Sequence, residues 1–102
     1  MYKIKLSKLD NDKHKYKVII YEDNKKIKSL KFGNSKYEDY TTHKDPKRKE
    51  LYILRHKGMH ENWNKSGILT KGFWSRWLLW NLPSLKASKE DIEKRFNVSF
   101  LP

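Results

Sequence analysis

The sequence predicts an α+β domain in which an N-terminal three-stranded antiparallel meander packs against about three short helices. Lysines alternate with apolar residues from Tyr2 onward, which is typical of strands with one solvated face. Turn-forming residues separate three such stretches. Three of the four tryptophans fall within residues 70–81, an apolar stretch at helical spacing in an otherwise polar chain. The whole chain, residues 1–102, is expected to form one domain.

The three strands are expected at residues 2–9, 15–22 and 26–32. Residues 10–12 form an Asp-Asn-Asp turn signal, and residues 22–24 form a second one. The third strand is the weakest, because Ile27 and Leu30 are out of phase with each other. Since an antiparallel sheet normally has one packed and one solvated face, lysines from all three strands should share the solvated face.

After a loop at residues 35–44, a helix is expected at residues 46–57. Asp45 suits the N-cap, Pro46 suits the first helical position, and Gly58 ends the helix. The apolar residues predict its inner face, and the basic residues predict its solvated face. The inner set is Leu51, Tyr52, Ile53 and Leu54; the outer set is Lys47, Arg48, Arg55 and His56.

The tryptophan-rich stretch predicts a buried helix at residues 71–81 that organises the core. Thr70 is its expected N-cap, and Leu82-Pro83 ends it. It is too short for the roughly 20 residues that cross a bilayer. Arg76 should either reach the surface or, preferably, pair with a carboxylate or a carbonyl. The expected core residues are Phe73, Trp74, Trp77, Leu78 and Trp80.

The last helix is expected at residues 89–96. Ser88 and Asp91 resemble a capping box, and Ile92 and Phe96 should face inward. Residues 98–102 form an apolar tail too short to be independent.

The composition excludes several classes of protein. The chain has no cysteine, which excludes disulfide frameworks and cysteine-based metal sites and fits an intracellular location. No signal peptide or membrane span is recognisable, so secretion and membrane partners are not expected. The net charge is +12, and residues 1–36 carry 11 lysines against 4 acidic residues. A polyanionic partner is therefore expected, although lysine-rich codon bias would give the same excess.

Several scattered stretches between residues 32 and 97 also carry a family resemblance. They are Phe32-Gly33, Tyr37, Asp39-Tyr40-Thr41, His43-Lys44-Asp45, Arg48-Lys49, Tyr52, Arg55-His56, Trp63, Ser66-Gly67-Ile68, residues 72–81 and residues 91–96. Together they resemble a family of small basic proteins of large nucleocytoplasmic (giant) DNA viruses. The resemblance implies a viral setting, in the viral factory or the virion, and implies no catalytic residue.

Catalytic and metal-binding patterns are weak. His56 and His60 have metal-ligand spacing, but Gly58 lies between them and no third ligand is marked. The acidic residues and histidine that a nuclease would need are scattered over a loop and a helix start: Glu38, Asp39, His43, Asp45 and Glu50. There is no phosphate-binding glycine loop and no nucleophile motif. We therefore expect a non-enzyme without cofactor or metal.

The expected function is nucleic-acid binding through phosphate contacts with little sequence specificity, with DNA preferred over RNA as the partner. The alternative is a virion structural protein, a minor capsid or core component that self-associates or contacts other viral structural proteins through its aromatic residues or its tail. The predicted binding residues lie on the strands and the first helix; they are Lys3, Lys5, Lys15, Lys17, Lys26, Lys28, Lys47, Arg48 and Arg55.

Overall fold

The computed structural model describes residues 1–9 and 13–102, so the expected turn at residues 10–12 lies outside the described residues. The chain is of the α+β class, as expected. Its strands are β1 (Tyr2–Lys8), β2 (His14–Glu22), β3 (Lys25–Asn34) and β4 (Ser99–Phe100). Its α-helices are α1 (Tyr40–His43), α2 (Pro46–Lys57), α3 (Lys71–Trp74) and α4 (Leu85–Phe96). A 3₁₀ turn (Lys65–Gly67) precedes α3, and a π-helical turn (Ser75–Leu79) continues it.

The sheet has the order β3-β2-β1-β4. β2 is antiparallel to both β1 and β3, whereas β4 is parallel to β1. The expectation of a simple antiparallel meander is therefore wrong. The tail that looked too short to be independent is held by its neighbours: Leu101 N donates to Ile4 O at 2.8 Å, and Phe100 N donates to Glu93 Oε2 at 2.9 Å.

A β-bulge resolves the phase conflict in β3. Ile20 pairs with Lys28, but the next residue, Tyr21, pairs with Lys26, so Ile27 is the extra residue of β3. Ile27 is consequently 40% exposed, while Leu30 stays in register with the packed face. Beyond the bulge, Lys26 shares a side of the sheet with Tyr21.

The core lies on one face of the sheet. Ile4, Val18, Ile20, Leu30 and Phe32 are buried there against the helices. The tryptophan-rich stretch supplies the buried Phe73, Trp74, Trp77, Leu78 and Leu79. Among the expected core residues, only Trp80 is half-buried instead. Trp74 also joins its helix to the preceding segment by a buried hydrogen bond, in which its Nε1 donates to Ile68 O at 2.7 Å.

The helix of the tryptophan-rich stretch is not uniform. It begins after Thr70, whose hydroxyl accepts from Phe73 N, but it widens into a π-helical turn at Ser75. Trp80 N donates to Ser75 O, a π-type bond that spans five residues. This extra residue per turn changes the direction of Trp80 relative to the stripe expected from ideal helical spacing.

Two other helix predictions need correction. The loop expected at residues 35–44 contains α1, which Asp39 caps by accepting from Thr41 N at 2.9 Å. α4 begins four residues earlier than expected, because Ser84 rather than Ser88 caps it. Ser88 is instead buried inside the helix, where its hydroxyl accepts from Leu82 N.

The expected inner face of α2 is also wrong. Tyr52 is buried, but Leu51 and Leu54 are 53% and 62% exposed. The phase of the helix follows aromatic stacking: the rings of Tyr52 and Trp80 lie parallel with centroids 4.4 Å apart, and His56 stacks on Tyr52 at 4.1 Å. His56 is therefore half-buried rather than solvated.

Candidate nucleic-acid interface

The face of the sheet that points away from the core carries lysines from three strands. Its residues form three cross-strand rows, in register from β1 through β2 to β3. We call this set the lysine face: Lys3, Tyr21 and Lys26; Lys5, Ile19 and Ser29; Ser7, Lys17 and Lys31. None of these nine residues belongs to the hydrophobic core. Side chains in neighbouring rows are spaced by about 6.8 Å along β1 and β2, twice the rise per residue.

The lysine face contains five lysines and no acidic residue. Lys5, Lys26 and Lys31 are exposed, while Lys3 and Lys17 are half-buried by their neighbours. In the part of the chain that the structure describes, none of the five forms an ion pair with a carboxylate. Their positive charge is therefore free to meet an external anion.

Five of the predicted binding residues fall elsewhere. Lys28 pairs with Ile20, which places it on the packed side of the sheet, although it is exposed at the β3 edge. The Lys15 ammonium lies 2.6 Å from the buried Asp39 carboxylate. Lys47, Arg48 and Arg55 are exposed on α2. Lys31, which shares a row with Lys17, is missing from the predicted set; continuing the alternation of β3 past Ser29 would have found it.

A cleft of about 520 Å³ lies between α2, the end of the β2–β3 hairpin and the π-helical turn; we call it the α2 cleft. It brings Lys15, Arg48 and Arg55 together, apart from the lysine face. Its wall of aromatic and apolar side chains consists of Tyr37, Leu51, Tyr52, His56, Leu79 and Trp80. Seven of the nine predicted basic residues thus fall into two separate sets rather than one surface, and Lys28 and Lys47 belong to neither set.

The Tyr52 hydroxyl in the wall of the α2 cleft does not ionise near neutral pH. Burial raises the pKa of the Tyr52 hydroxyl far above its ordinary value, and the negative charge of Glu61 raises it further. Tyr52 therefore stays neutral and acts through its ring.

Arg76 is half-buried and lies close to Tyr52. Its guanidinium stands over the Trp77 ring at 4.4 Å and donates to Trp80 O at 2.9 Å. Burial lowers the pKa of Arg76, but an arginine remains charged at any physiological pH. The carbonyl bond and the ring contact make it a structural residue, as the sequence favoured.

The candidate catalytic residues serve mainly as helix caps and structural partners. Asp39 caps α1 and Asp45 caps α2, where Asp45 accepts from Lys47 N. His43 Nδ1 accepts from Asp45 N, and His56 Nδ1 lies 3.1 Å from Glu61 Oε2. Within residues 1–9 and 13–102, no three histidine or acidic side chains form a group that could hold a metal ion.

No described helix combines the length and the apolar character needed to cross a membrane. Neither a curated protein nor a solved structure matches the chain. A family model does match, that of a family of unknown function (DUF5754), over residues 4–56. The match includes β1 from Ile4 onward, β2, β3, α1, and α2 up to His56. It therefore covers the lysine face except Lys3, and it covers the two arginines of the α2 cleft.

Proposed function

The chain belongs to the DUF5754 family, whose description gives no activity, and we propose from the geometry that it is a small non-enzymatic nucleic-acid-binding protein. It binds through phosphate contacts with little sequence specificity. The observation that carries the proposal is the lysine face, which presents five lysines and no acidic residue on one side of the sheet.

The chemistry of the lysine face favours non-specific contact. A lysine ammonium is a compact charge on a flexible stem, which attracts phosphate without the fixed fork that reads a base edge. Each phosphate that a lysine neutralises releases counterions, so five lysines together attract a nucleic acid strongly at low salt. A sheet face of this kind places no helix in a groove, which fits binding without base readout.

The setting follows from the resemblance to proteins of giant DNA viruses. On that basis we place the function in the viral factory or the virion of an infected cell, and we propose DNA rather than RNA as the partner. Both parts of this setting can fail without affecting the proposed binding surface.

The test replaces four lysines of the lysine face with glutamine, in the variant K3Q/K5Q/K17Q/K31Q. Fluorescence anisotropy with a mixed-sequence DNA duplex measures affinity at several salt concentrations. Five phosphate contacts predict a slope of log affinity against log salt of about −4.5, and one remaining contact predicts about −0.9. A matched control, K44Q/K57Q/K65Q/K94Q, removes the same charge from exposed lysines outside both basic sets.

The expected result is a steep loss of affinity and slope in the first variant, with the control close to the parent. Equal loss in both variants would mean that net charge, not the lysine face, attracts the duplex. If the parent itself does not bind DNA or RNA in low salt, the proposed function is wrong.

A second candidate function is that of a virion structural protein, and one observation favours it. Leu51, Leu54 and Met59 are all more than half exposed on α2 and just beyond it, where they would suit contact with another protein. The tail named for this role in the sequence is instead engaged in the sheet. Light scattering of the parent and of an L51Q/L54Q variant tests it: a defined oligomer that the variant dissociates, without DNA binding, would favour this role.

A further inference from the structure

We propose that the α2 cleft is a second binding site, separate from the lysine face, and that its ligand is a nucleoside phosphate. Such a ligand combines a planar base with a phosphate on the attached sugar. Both a free nucleotide and the end of a nucleic-acid strand have this chemistry. The site does not depend on the proposed function, because no residue of the lysine face lines the cleft.

The size and walls of the cleft suit a planar organic ligand. Its volume of about 520 Å³ lies within the range of roughly 300–1,000 Å³ that small-molecule sites occupy. Leu51 and Leu79 supply apolar walls from opposite elements. Tyr52 and Trp80 are locked parallel in their stack, with only 3° between the ring planes. A ring that enters the cleft therefore meets rigid apolar and aromatic surface, without first ordering these side chains.

Two guanidinium groups provide the phosphate contacts. Arg48 and Arg55 are seven residues apart on α2 and both line the cleft, one toward each end of its helical wall. Their Cα atoms are separated by about 10.5 Å along the helix axis, a distance that two long side chains can close onto one ligand. Arginine matches phosphate with paired N–H donors, so it is the suitable residue type here.

Both arginines are available to a ligand. Arg55 forms no ion pair with any described residue, and Arg48 meets only Glu38, at 3.7 Å. The side chains of Arg48 and Glu38 are 48% and 61% exposed, so this pair is weak and a phosphate can displace the carboxylate. The Asp39 carboxylate does not repel the ligand strongly, because the Lys15 ammonium already neutralises it.

The test is isothermal titration calorimetry of the full chain with adenosine monophosphate, with adenosine and with inorganic phosphate. Adenosine monophosphate should bind more tightly than either of its parts. The R48Q/R55Q variant should weaken its binding about tenfold or more, since the charge-assisted hydrogen bonds are lost. The control K47Q/K57Q removes the same charge from exposed positions of the same helix that do not line the cleft, and should change affinity less than about twofold.

Two further variants test whether adenosine monophosphate binds in the α2 cleft and not on the lysine face. L51W places a larger ring at a half-exposed position of the wall, and should abolish binding while the melting temperature stays near that of the parent. The K3Q/K5Q/K17Q/K31Q variant should keep the parent affinity for adenosine monophosphate. Loss of duplex binding and loss of nucleotide binding are thus separate results, and either proposal can fail alone.

A competition experiment distinguishes a free nucleotide from a strand end as the ligand. Displacement of adenosine monophosphate by a 5′-phosphorylated oligonucleotide, but not by its unphosphorylated copy, identifies a strand end; no displacement by either identifies a free nucleotide. The proposal is overturned if adenosine monophosphate does not bind at millimolar concentration, if adenosine binds equally well, or if K47Q/K57Q weakens binding as much as R48Q/R55Q.

Discussion

Replacing Lys15 with methionine should destabilise the fold, although the alternation of β2 would assign Lys15 to the solvated face. The Lys15 side chain is 20% exposed and its ammonium lies 2.6 Å from Asp39, whose side chain is 5% exposed. Removing one partner of a fully buried ion pair costs about 3–5 kcal/mol, because a charge is left without compensation. Since water reaches part of Lys15, we expect about 2–3 kcal/mol. For a domain of this size that loss lowers the melting temperature by about 10–20 °C.

The assay is thermal unfolding followed by circular dichroism at neutral pH. Lys17→Met is the matched control, because Lys17 lies two residues along the same strand, on the lysine face, without a carboxylate partner. Asp39→Asn should cost less than Lys15→Met, since asparagine can still cap α1. The double variant should be more stable than the sum of the two single losses predicts, because the two side chains contact each other.

A melting temperature of Lys15→Met within about 2 °C of the parent would refute this reasoning, because it would mean that Asp39 does not need the cation. Equal destabilisation by Lys17→Met would also refute it, by showing that any lost lysine stem on β2 has the same effect.

Three further changes test the core and its supports. Gly67→Ala should cost about 3 kcal/mol or more in denaturant unfolding, because the new Cβ would lie 2.0 Å from the backbone oxygen of Asn62; an unchanged midpoint would contradict that packing. Trp77→Ala should cost about 3–5 kcal/mol in the same assay, and a parent-like melting temperature would show that Trp77 is not a core residue. Burial alone would raise the pKa of Asp91, but its hydrogen bonds from Asn81 and Arg95 outweigh burial and lower it. The ionised Asp91 carboxylate therefore stabilises the folded chain fully above the pKa that Asp91 has when unfolded, and this contribution is lost as the pH falls through its folded pKa. Asp91→Asn should consequently flatten the acid side of a curve of unfolding free energy against pH.

Local signals predicted the elements whose limits depend on local chemistry. Asp45, Pro46 and Gly58 define α2 because a cap, a proline and a glycine act on adjacent backbone groups. The alternation of β1 predicts its lysine side correctly for the same reason: adjacent side chains of a strand point to opposite faces.

Long-range contacts decided what the sequence did not predict. The phase of α2 depends on Trp80, which is 28 residues away from Tyr52 and is turned toward it by a π-helical turn that no periodicity indicates. Lys15 has a structural role because its ammonium pairs with Asp39, which lies in a segment expected to be a loop. Two serines four residues apart are both suitable N-caps for α4. Ser84 is the N-cap in the structure, whereas the Ser88 hydroxyl is buried and bonds to the backbone of Leu82.

The parallel pairing of β4 with β1 has a consequence for synthesis on the ribosome. Lys3 pairs with Ser99 and Ile4 pairs with Phe100, so this side of β1 has no strand partner until residues 99 and 100 have been synthesised. An unpaired strand edge invites pairing with other chains, and lysines along it discourage such pairing. Lys3, Lys5 and Lys8 all lie on β1. We therefore expect these lysines to protect the nascent chain from aggregation. Lys5 and Lys8 lie beyond the two residues of β1 that pair with β4, so they keep this role after folding.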